Sequence, residues 1–468
     1  MGLLDQWNKN KFSIYKSEEK TVLKLIEEIG KWLETLIKGL DGKTDLYGDH
    51  KGSWQGLKRP TLSEEGLRAT VEKLIDEDLP NIENSLNEKA NKTEIENSFN
   101  ELTQILDKVE SDILINKDYF NNQITEINNK TIGLRLNAKY PPLGLMGCKG
   151  DGLTDDTENL NKIIEFVNSN NGGVIEFPQG TYKLNNVKMK SKVGLVGLGR
   201  TDNYLSETSQ CVLKADENAT VLINCEGVDG AFFQGLTFDG GENGYNNCIC
   251  INRGAFITIK DNYFRNFKSA MGDGVGLQTF IIENNKINLC NIGIWSVVDS
   301  RIINNTINAN VIGIKFGSGA NDNIITSNKI EWNSGFGIEM YLCTSNVISE
   351  NIIDRSGSVG ITASNVNNTI ISNNVFRRNG STTLTPRDMS QIYLETCSNM
   401  TLNGNISKVD NTHDDSSGKN APENGFTIYN STKIIVSANI LNANSGKSLD
   451  SWNNTELIDT NNIKNLPN

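Results

Sequence analysis

The chain has 468 residues and a formal net charge of −12, a length that predicts two or more domains. Lysine and arginine form no dominant cluster, which argues against nucleic acid as a partner. No apolar run of roughly 18 residues exists to span a membrane, and eight cysteines in so long a chain do not make a disulfide scaffold.

Cys211, Cys225, Cys248, Cys250, Cys290, Cys343 and Cys397 fall in strand-like or core-like settings and read as small hydrophobes. With only His50 and His413, no Cys/His spacing suggests zinc, so neither a metal nor a cofactor is expected. The N-terminus shows no basic segment followed by a short apolar core and a cleavage site, so no standard secretion signal is expected.

Residues 1–60 form the first expected region. Val22, Leu23, Leu25, Ile26, Ile29, Trp32, Leu33, Leu36 and Ile37 make the apolar stripe of an amphipathic helix. Its flanking charges are mixed rather than strongly basic, which disfavours a membrane surface. Residues 61–135 form the second region, a helical stem that opens on Ser63-Glu64-Glu65. Phe99, Leu106, Ile113, Phe120 and Ile127 recur every seventh residue. Ile95, Leu102 and Val109 fill the alternate seam position, followed there by Asn116 and Gln123. The pattern predicts a self-associating coiled coil on the order of 50 Å long, with a trimer preferred and an intramolecular helical hairpin as the alternative.

The third region, 136–445, opens on Lys149-Gly150-Asp151-Gly152-Leu153-Thr154-Asp155-Asp156-Thr157. Gly-Asp-Gly predicts a tight loop, and Asp155 is expected to cap a helix whose apolar face is Leu160, Ile163, Ile164 and Val167. Gly172-Gly173-Val174-Ile175-Glu176-Phe177-Pro178-Gln179-Gly180-Thr181-Tyr182 then turns into the first strand.

From Phe238 to Leu441 two short phrases repeat. One carries Asn262, Asn285, Asn305, Asn328, Asn351 and Asn374, at intervals of 23, 20, 23, 23 and 23 by subtraction. The other carries Gly293-Ile294, Gly313-Ile314, Gly337-Ile338 and Gly360-Ile361. A β-rich unit of this period cannot bury its apolar face alone and must stack on its neighbours. The fold class is therefore mainly β: a parallel β-helix preceded by an α-helical, coiled-coil N-terminal region. The recurrent asparagine is read as structural, since it tolerates the left-handed conformation of a sharp bend and its amide can bond up a ladder. Asn405 and Asn439 come 31 and 34 residues after their predecessors, so these coils carry longer loops near 380–390 and 408–424. Residues 446–468 are expected to form a polar tail or cap.

If Ile294, Ile314, Ile338, Ile361 and Ile392 point inward, the next residues form an outward column of Trp295, Lys315, Glu339, Thr362, Tyr393 and Thr427. A second column holds Val297, Gly317, Tyr341, Ser364, Glu395 and Tyr429, and the same alignment adds Met271 and Asp273 one coil earlier. Such a face suits a glycan, because aromatic rings stack on sugars and carboxylates bind hydroxyls. Trp295, Lys315, Tyr341 and Tyr393 are the candidate substrate-binding residues, and Glu339, Glu395 and Asp273 the candidate catalytic carboxylates. Lys315 beside Glu339 equally fits an ordinary cross-strand ion pair. Glycosidases need two carboxyl groups roughly 5–9.5 Å apart. Glu339 and Glu395 are expected at about 10 Å or more, so Asp388 or Asp415 on the loops, or a site between subunits, remain open.

The segments 149–157 and 172–182 resemble the opening of the pectate-lyase-like β-helix domain found in many bacteriophage tail spikes. The resemblance covers about 140–445 together with the repeats, and it implies a right-handed, pectin-lyase-like β-helix capped by the helix after Asp155. Gly52-Ser53-Trp54-Gln55-Gly56-Leu57 with Pro60-Thr61-Leu62-Ser63-Glu64-Glu65-Gly66-Leu67 resembles the head of Gram-positive phage tail or appendage proteins. These likenesses imply a protein of the virion tail, assembled in the host cytoplasm. Residues 1–60 would attach to other tail or neck proteins, and the β-helix would bind host capsule, exopolysaccharide or teichoic acid. They further imply depolymerisation, hydrolase chemistry ranking ahead of lyase. A non-catalytic receptor-binding or baseplate protein, or a free polysaccharide lyase, are the alternatives. The Asn-Thr-Asp, Asp-Asp and Gly-His-Gly set of polygalacturonase-type enzymes does not occur in the repeats.

Overall fold

The chain divides into two units, Met1–Ile127 and Asn128–Asn468. The computed structural model describes residues 134–464, apart from 143, 198–210, 276, 381–384, 386, 388, 409–421 and 444–445, with a few isolated positions between 77 and 111. The expected N-terminal helix, all but isolated positions of the stem, and the loop with His413 lie outside the described residues.

Three long parallel sheets run through the described chain. Sheet I has 13 strands, from Leu134–Asn137 to Thr455–Thr460. Sheet II also has 13, from Asp151–Asp155 to Ile463–Lys464. Sheet III has 11, from Val187–Lys188 to Leu449–Trp452. Each coil gives one strand to each sheet: Ile324–Thr326, Lys329–Glu331 and Ile338–Tyr341 make up one turn. Alternation sends every second side chain inward. Ile282, Ile302, Ile325, Ile348 and Ile371 stack in register on sheet I and are fully buried. On sheet II, Phe238 lies flat on Phe264, ring centroids 4.7 Å apart.

Both repeated phrases have a physical cause. The asparagines occupy the corner between sheets I and II. Asn351 donates through Nδ2 to the carbonyls of Ile325 and Ser349, each at 2.9 Å, and to Asn374 Oδ1 at 3.0 Å. Its own Oδ1 accepts from the backbone N–H of Asn328 at 2.9 Å and from that residue's Nδ2 at 3.0 Å. One side chain thus satisfies the buried polar groups that a sharp corner exposes. The left-handed bend falls one residue earlier than the sequence suggests: Asn284, Asn304, Ser327, Glu350 and Asn373 carry the positive φ. The glycines recur for lack of space. A Cβ on Gly293, Gly313 or Gly337 would lie 2.4–2.6 Å from the carbonyl oxygen of the glycine one coil on.

Helix α1 (Thr157–Ser169) packs its four buried residues, Leu160, Ile163, Ile164 and Val167, on strands Gly173–Phe177, Val187–Lys188 and Val193–Gly197 of sheets I and III, covering the first coil. Asp155 Oδ1 accepts from Thr157 N at 2.9 Å, but the N-cap position belongs to Asp156. The Asp156 carboxylate is fully buried and ties down the preceding loop through Lys149 N at 2.6 Å and Gly150 N at 2.9 Å.

The C-terminal expectation differs from the structure. Instead of a tail or cap from 446, strands Leu449–Trp452, Thr455–Thr460 and Ile463–Lys464 add a further coil. Asn462 continues the ladder by accepting from Asn439 Nδ2 at 2.9 Å, which is why this polar segment holds strand geometry. The extra length of the 31- and 34-residue coils falls between sheets II and III, after strands Val375–Arg377 and Ile406–Lys408. The asparagine ladder runs through both coils without a break.

Candidate functional site

Sheet III carries the outward columns. Its strands pair Trp295 with Lys315, Lys315 with Glu339, Glu339 with Thr362, Thr362 with Tyr393 and Tyr393 with Thr427. The first column therefore stands in register as expected, backed by the fully buried Ile294, Ile314, Ile338, Ile361 and Ile392. It continues to Asp450. Its exposure is uneven: Trp295, Lys315 and Glu339 are half-buried, whereas Thr362, Tyr393 and Thr427 are buried.

The second column is Tyr341, Ser364, Glu395, Tyr429 and Trp452. Two expected members depart from it. Val297 is buried and pairs with Leu277 in a small separate sheet, while Gly317 lies beyond its strand, donating its N–H to Ser296 Oγ at 2.9 Å. One coil earlier the register is shifted by one residue. Met271 pairs with the inward Ile294 and is fully buried, which suits its apolar side chain. Gly272 stands beside Trp295 instead, where a Cβ would lie 2.1 Å from the Trp295 carbonyl oxygen. Asp273 consequently falls outside the columns, bound by Arg253 Nε at 3.1 Å.

Lys315 Nζ lies 3.0 Å from Glu339 Oε2, the cross-strand ion pair the spacing allowed. Arg387, from the loop before strand Ser390–Glu395, lies over the Phe336 ring at 5.0 Å. Burial raises the Tyr393 phenol above its ordinary pKa, the Glu395 carboxylate adds to this, and the Arg387 guanidinium opposes it. Tyr393, Glu395 and Arg387 therefore share one electrostatic neighbourhood.

Glu339 and Glu395 stand two coils and two strand residues apart, about 12 Å between backbones at ordinary sheet spacing. Only side chains leaning toward each other would bring the two carboxyls within the roughly 5–9.5 Å at which a pair flanks one glycosidic bond. Asp273 is further still. Among the described residues no cluster of His, Cys, Asp and Glu fits a metal ion.

Sequence reasoning misses Asp450 and Trp452, because the polar residues from 446 onward read as a tail or cap. The interval of 23 from Asn439 to Asn462 is the signal for the further coil. Elsewhere, a cleft of about 540 Å³ between helix α2 (Gly241–Asn247) and sheet II is lined by Lys214, Asp239, Tyr245 and Asn266. The Asp239 carboxylate there is already engaged by Arg265 at 2.7 Å, Asn266 Nδ2 at 3.0 Å and Gly241 N at 2.9 Å, so the cleft reads as scaffold.

Residues 292–463 match the family model described as right handed beta helix region. Residues 145–224 match that of rhamnogalacturonase A/epimerase, pectate lyase-like. The described residues from 134 to 464 form a right-handed parallel β-helix. Its fold is similar to the A-module of Azotobacter vinelandii mannuronan C-5 epimerase AlgE4, with TM-score 0.54 and 16% identity over 70% of this chain and 95% of that one. It is also similar to the enzymatically active domain of bacteriophage CBA120 tailspike protein 2, with TM-score 0.52 and 15% identity over 68% of this chain and 52% of that one. The Dettilon tailspike protein aligns with TM-score 0.51 and 14% identity over 70% of this chain and 68% of that one. No curated protein sequence matches the chain.

Proposed function

We propose that the protein is a phage tail-spike-like protein that binds host cell-surface polysaccharide on the outward face of sheet III and depolymerises it during adsorption. The observation that carries this reading is the register of sheet III, which sets Trp295, Lys315, Glu339 and Tyr393 in one column with Tyr341, Glu395 and Tyr429 beside them. The Lys315–Glu339 pair offers a bound glycan a proton donor and a proton acceptor in contact. Glu395, two coils away, is a marginal partner for Glu339 in a hydrolytic pair. The partner carboxylate would be Asp388 or Asp415, both outside the described residues, or a residue of a second chain. Capsule, exopolysaccharide and teichoic acid are the polymers this reading admits.

The organisation that goes with it is residues 1–60 for attachment to the virion, 61–135 for a trimerising stem and the β-helix facing the host, all assembled in the host cytoplasm. Self-association has support in the β-helix itself. Ile281, Ile324, Ile370, Ile435 and Ile458 of sheet I point outward, as do Ile352, Ile406, Ile440 and Ile463 of sheet II, each 38–64% exposed. Parallel copies packed side by side would remove these apolar side chains from water.

Binding without cleavage is the second reading, favoured by the missing carboxylate pair among the described columns. Incubation with host-envelope polysaccharide and teichoic acid separates the two. New reducing or phosphate ends, lost in Glu339→Gln, are the result expected of the depolymerase. Tight binding that leaves every polymer intact would overturn it in favour of an adhesin.

A further inference from the structure

The C-terminal end of the sheet III face has a chemistry of its own. Tyr429 and Trp452 are cross-strand neighbours on the last two coils, their ring centroids 5.0 Å apart and their planes tilted by 31°. Rings that served only to close the core would turn inward beside Phe426 and Ile428, which are fully buried on the Tyr429 strand. Tyr429 and Trp452 lie on the other side of their strands, with Trp452 37% exposed. Tyr341, 51% exposed, begins the same column, and Ser364 and Glu395 stand between it and the ring pair. From Tyr341 to Trp452 is four coil steps, about 19 Å, which is room for an oligosaccharide rather than one sugar.

The charges along this face are largely neutralised among themselves. Lys315 pairs with Glu339 at 3.0 Å and Lys447 with Asp450 at 2.7 Å. Arg387 shares the neighbourhood of Tyr393 with Glu395. Recognition of a polyanion needs an excess of cationic donors, and the described residues of this face offer none.

We propose that the Tyr341–Glu395–Tyr429–Trp452 column is a binding platform for an uncharged, pyranose-based chain lying along the β-helix axis. The apolar faces of its sugar rings stack on Tyr429 and Trp452, and Glu395 accepts from its hydroxyls. This rests on the glycan-binding reading above and narrows it, setting teichoic acid and acidic capsules aside as ligands of this column.

The test titrates the full chain with neutral gluco- and galacto-oligosaccharides of graded length and, separately, with poly(glycerol phosphate) teichoic acid, each at low and high salt. Binding is followed by calorimetry and tryptophan fluorescence. The expected result is binding of a neutral series that strengthens with length, is unchanged by salt, and falls about tenfold in Trp452→Ala while Trp452→Phe restores most of it. Tyr341→Ala, at a more exposed position, serves as the second variant should Trp452→Ala fold poorly, and is expected to weaken only the longer chains. Salt-sensitive binding of teichoic acid alone would overturn the proposal and leave the glycan-binding reading standing. Neutral binding indifferent to all three substitutions would overturn the platform. Failure of every polymer to bind would overturn both.

Discussion

Lys315 and Glu339 meet across adjacent strands of sheet III with Nζ 3.0 Å from Oε2. The approach is that of an ion pair outside hydrogen-bond geometry, and Oε2 is otherwise shut away from water without a hydrogen-bond partner. Their side chains keep 33% and 25% of their exposure, so solvent reaching the rest of each side chain screens the attraction in part, and its share of stability is about 1 kcal/mol. Glu339→Gln is therefore expected to leave the thermal midpoint nearly unchanged while cutting glycan cleavage by about a hundredfold or more. A large drop in the midpoint with cleavage intact would reduce the pair to scaffold.

The asparagine ladder makes a sharper claim on stability. Asn351→Ala removes three donated and two accepted hydrogen bonds at a buried corner. At about 1–3 kcal/mol for each buried group left unpaired, denaturant titration should show a loss of several kcal/mol. Asn351→Asp should be at least as damaging, since a carboxylate cannot donate to the carbonyls of Ile325 and Ser349. An alanine variant as stable as the parent would refute the ladder's role.

Asp354 supports a buried charge cluster. Its carboxylate accepts from Arg378 Nε at 3.0 Å and Arg355 Nη1 at 2.9 Å, and the Arg355 guanidinium lies 4.3 Å from the centroid of Trp332. Asp354→Asn removes the negative partner of two buried cations and is expected to cost about 3–5 kcal/mol, read as a lowered unfolding midpoint. A shift within error would mean that other neighbours hold both arginines.

The exposed isoleucine columns predict an oligomer-specific phenotype. Ile370→Lys and Ile406→Lys replace residues 44% and 40% exposed, so the fold of each coil should survive with little change. Light scattering after size exclusion should show weaker self-association than in the parent chain. Unaltered assembly in both would exclude these columns from the contact.

Asp151 gives a pH signature at the N-terminal end. Hydrogen bonds from the backbone of Thr154 and Leu153 and from the Thr154 hydroxyl lower its pKa from the ordinary 3.8 to about 2. A folded pKa below the unfolded one contributes stability that is complete above the unfolded value and is lost as pH falls toward the folded one. Thermal midpoints recorded from pH 5 down to 2 should therefore fall less steeply in Asp151→Asn than in the parent. Parallel curves would contradict the assignment.

Most of the β-helix could be read from side chains that repeat for local reasons. The inward isoleucines, the corner asparagines and the Gly293–Gly313–Gly337 series each answer a constraint met once per coil, so each left a period in the chain. The first outward column followed, because alternation along a strand is local and the strands of successive coils share one register.

What the sequence determined was therefore the periodic part: a parallel β-helix, its buried columns, and Trp295, Lys315, Glu339 and Tyr393 on one face. Tertiary structure decided the rest where coil lengths vary. A single residue of phase turned Met271 inward and put Gly272 beside Trp295, which carried Asp273 out of the column to Arg253. An additional coil after Gly446 brought Trp452 against Tyr429 and Asp450 beside Thr427. Alternation fixes which side of a strand a residue takes, but loop length sets the register between coils, and only the packed structure resolves it.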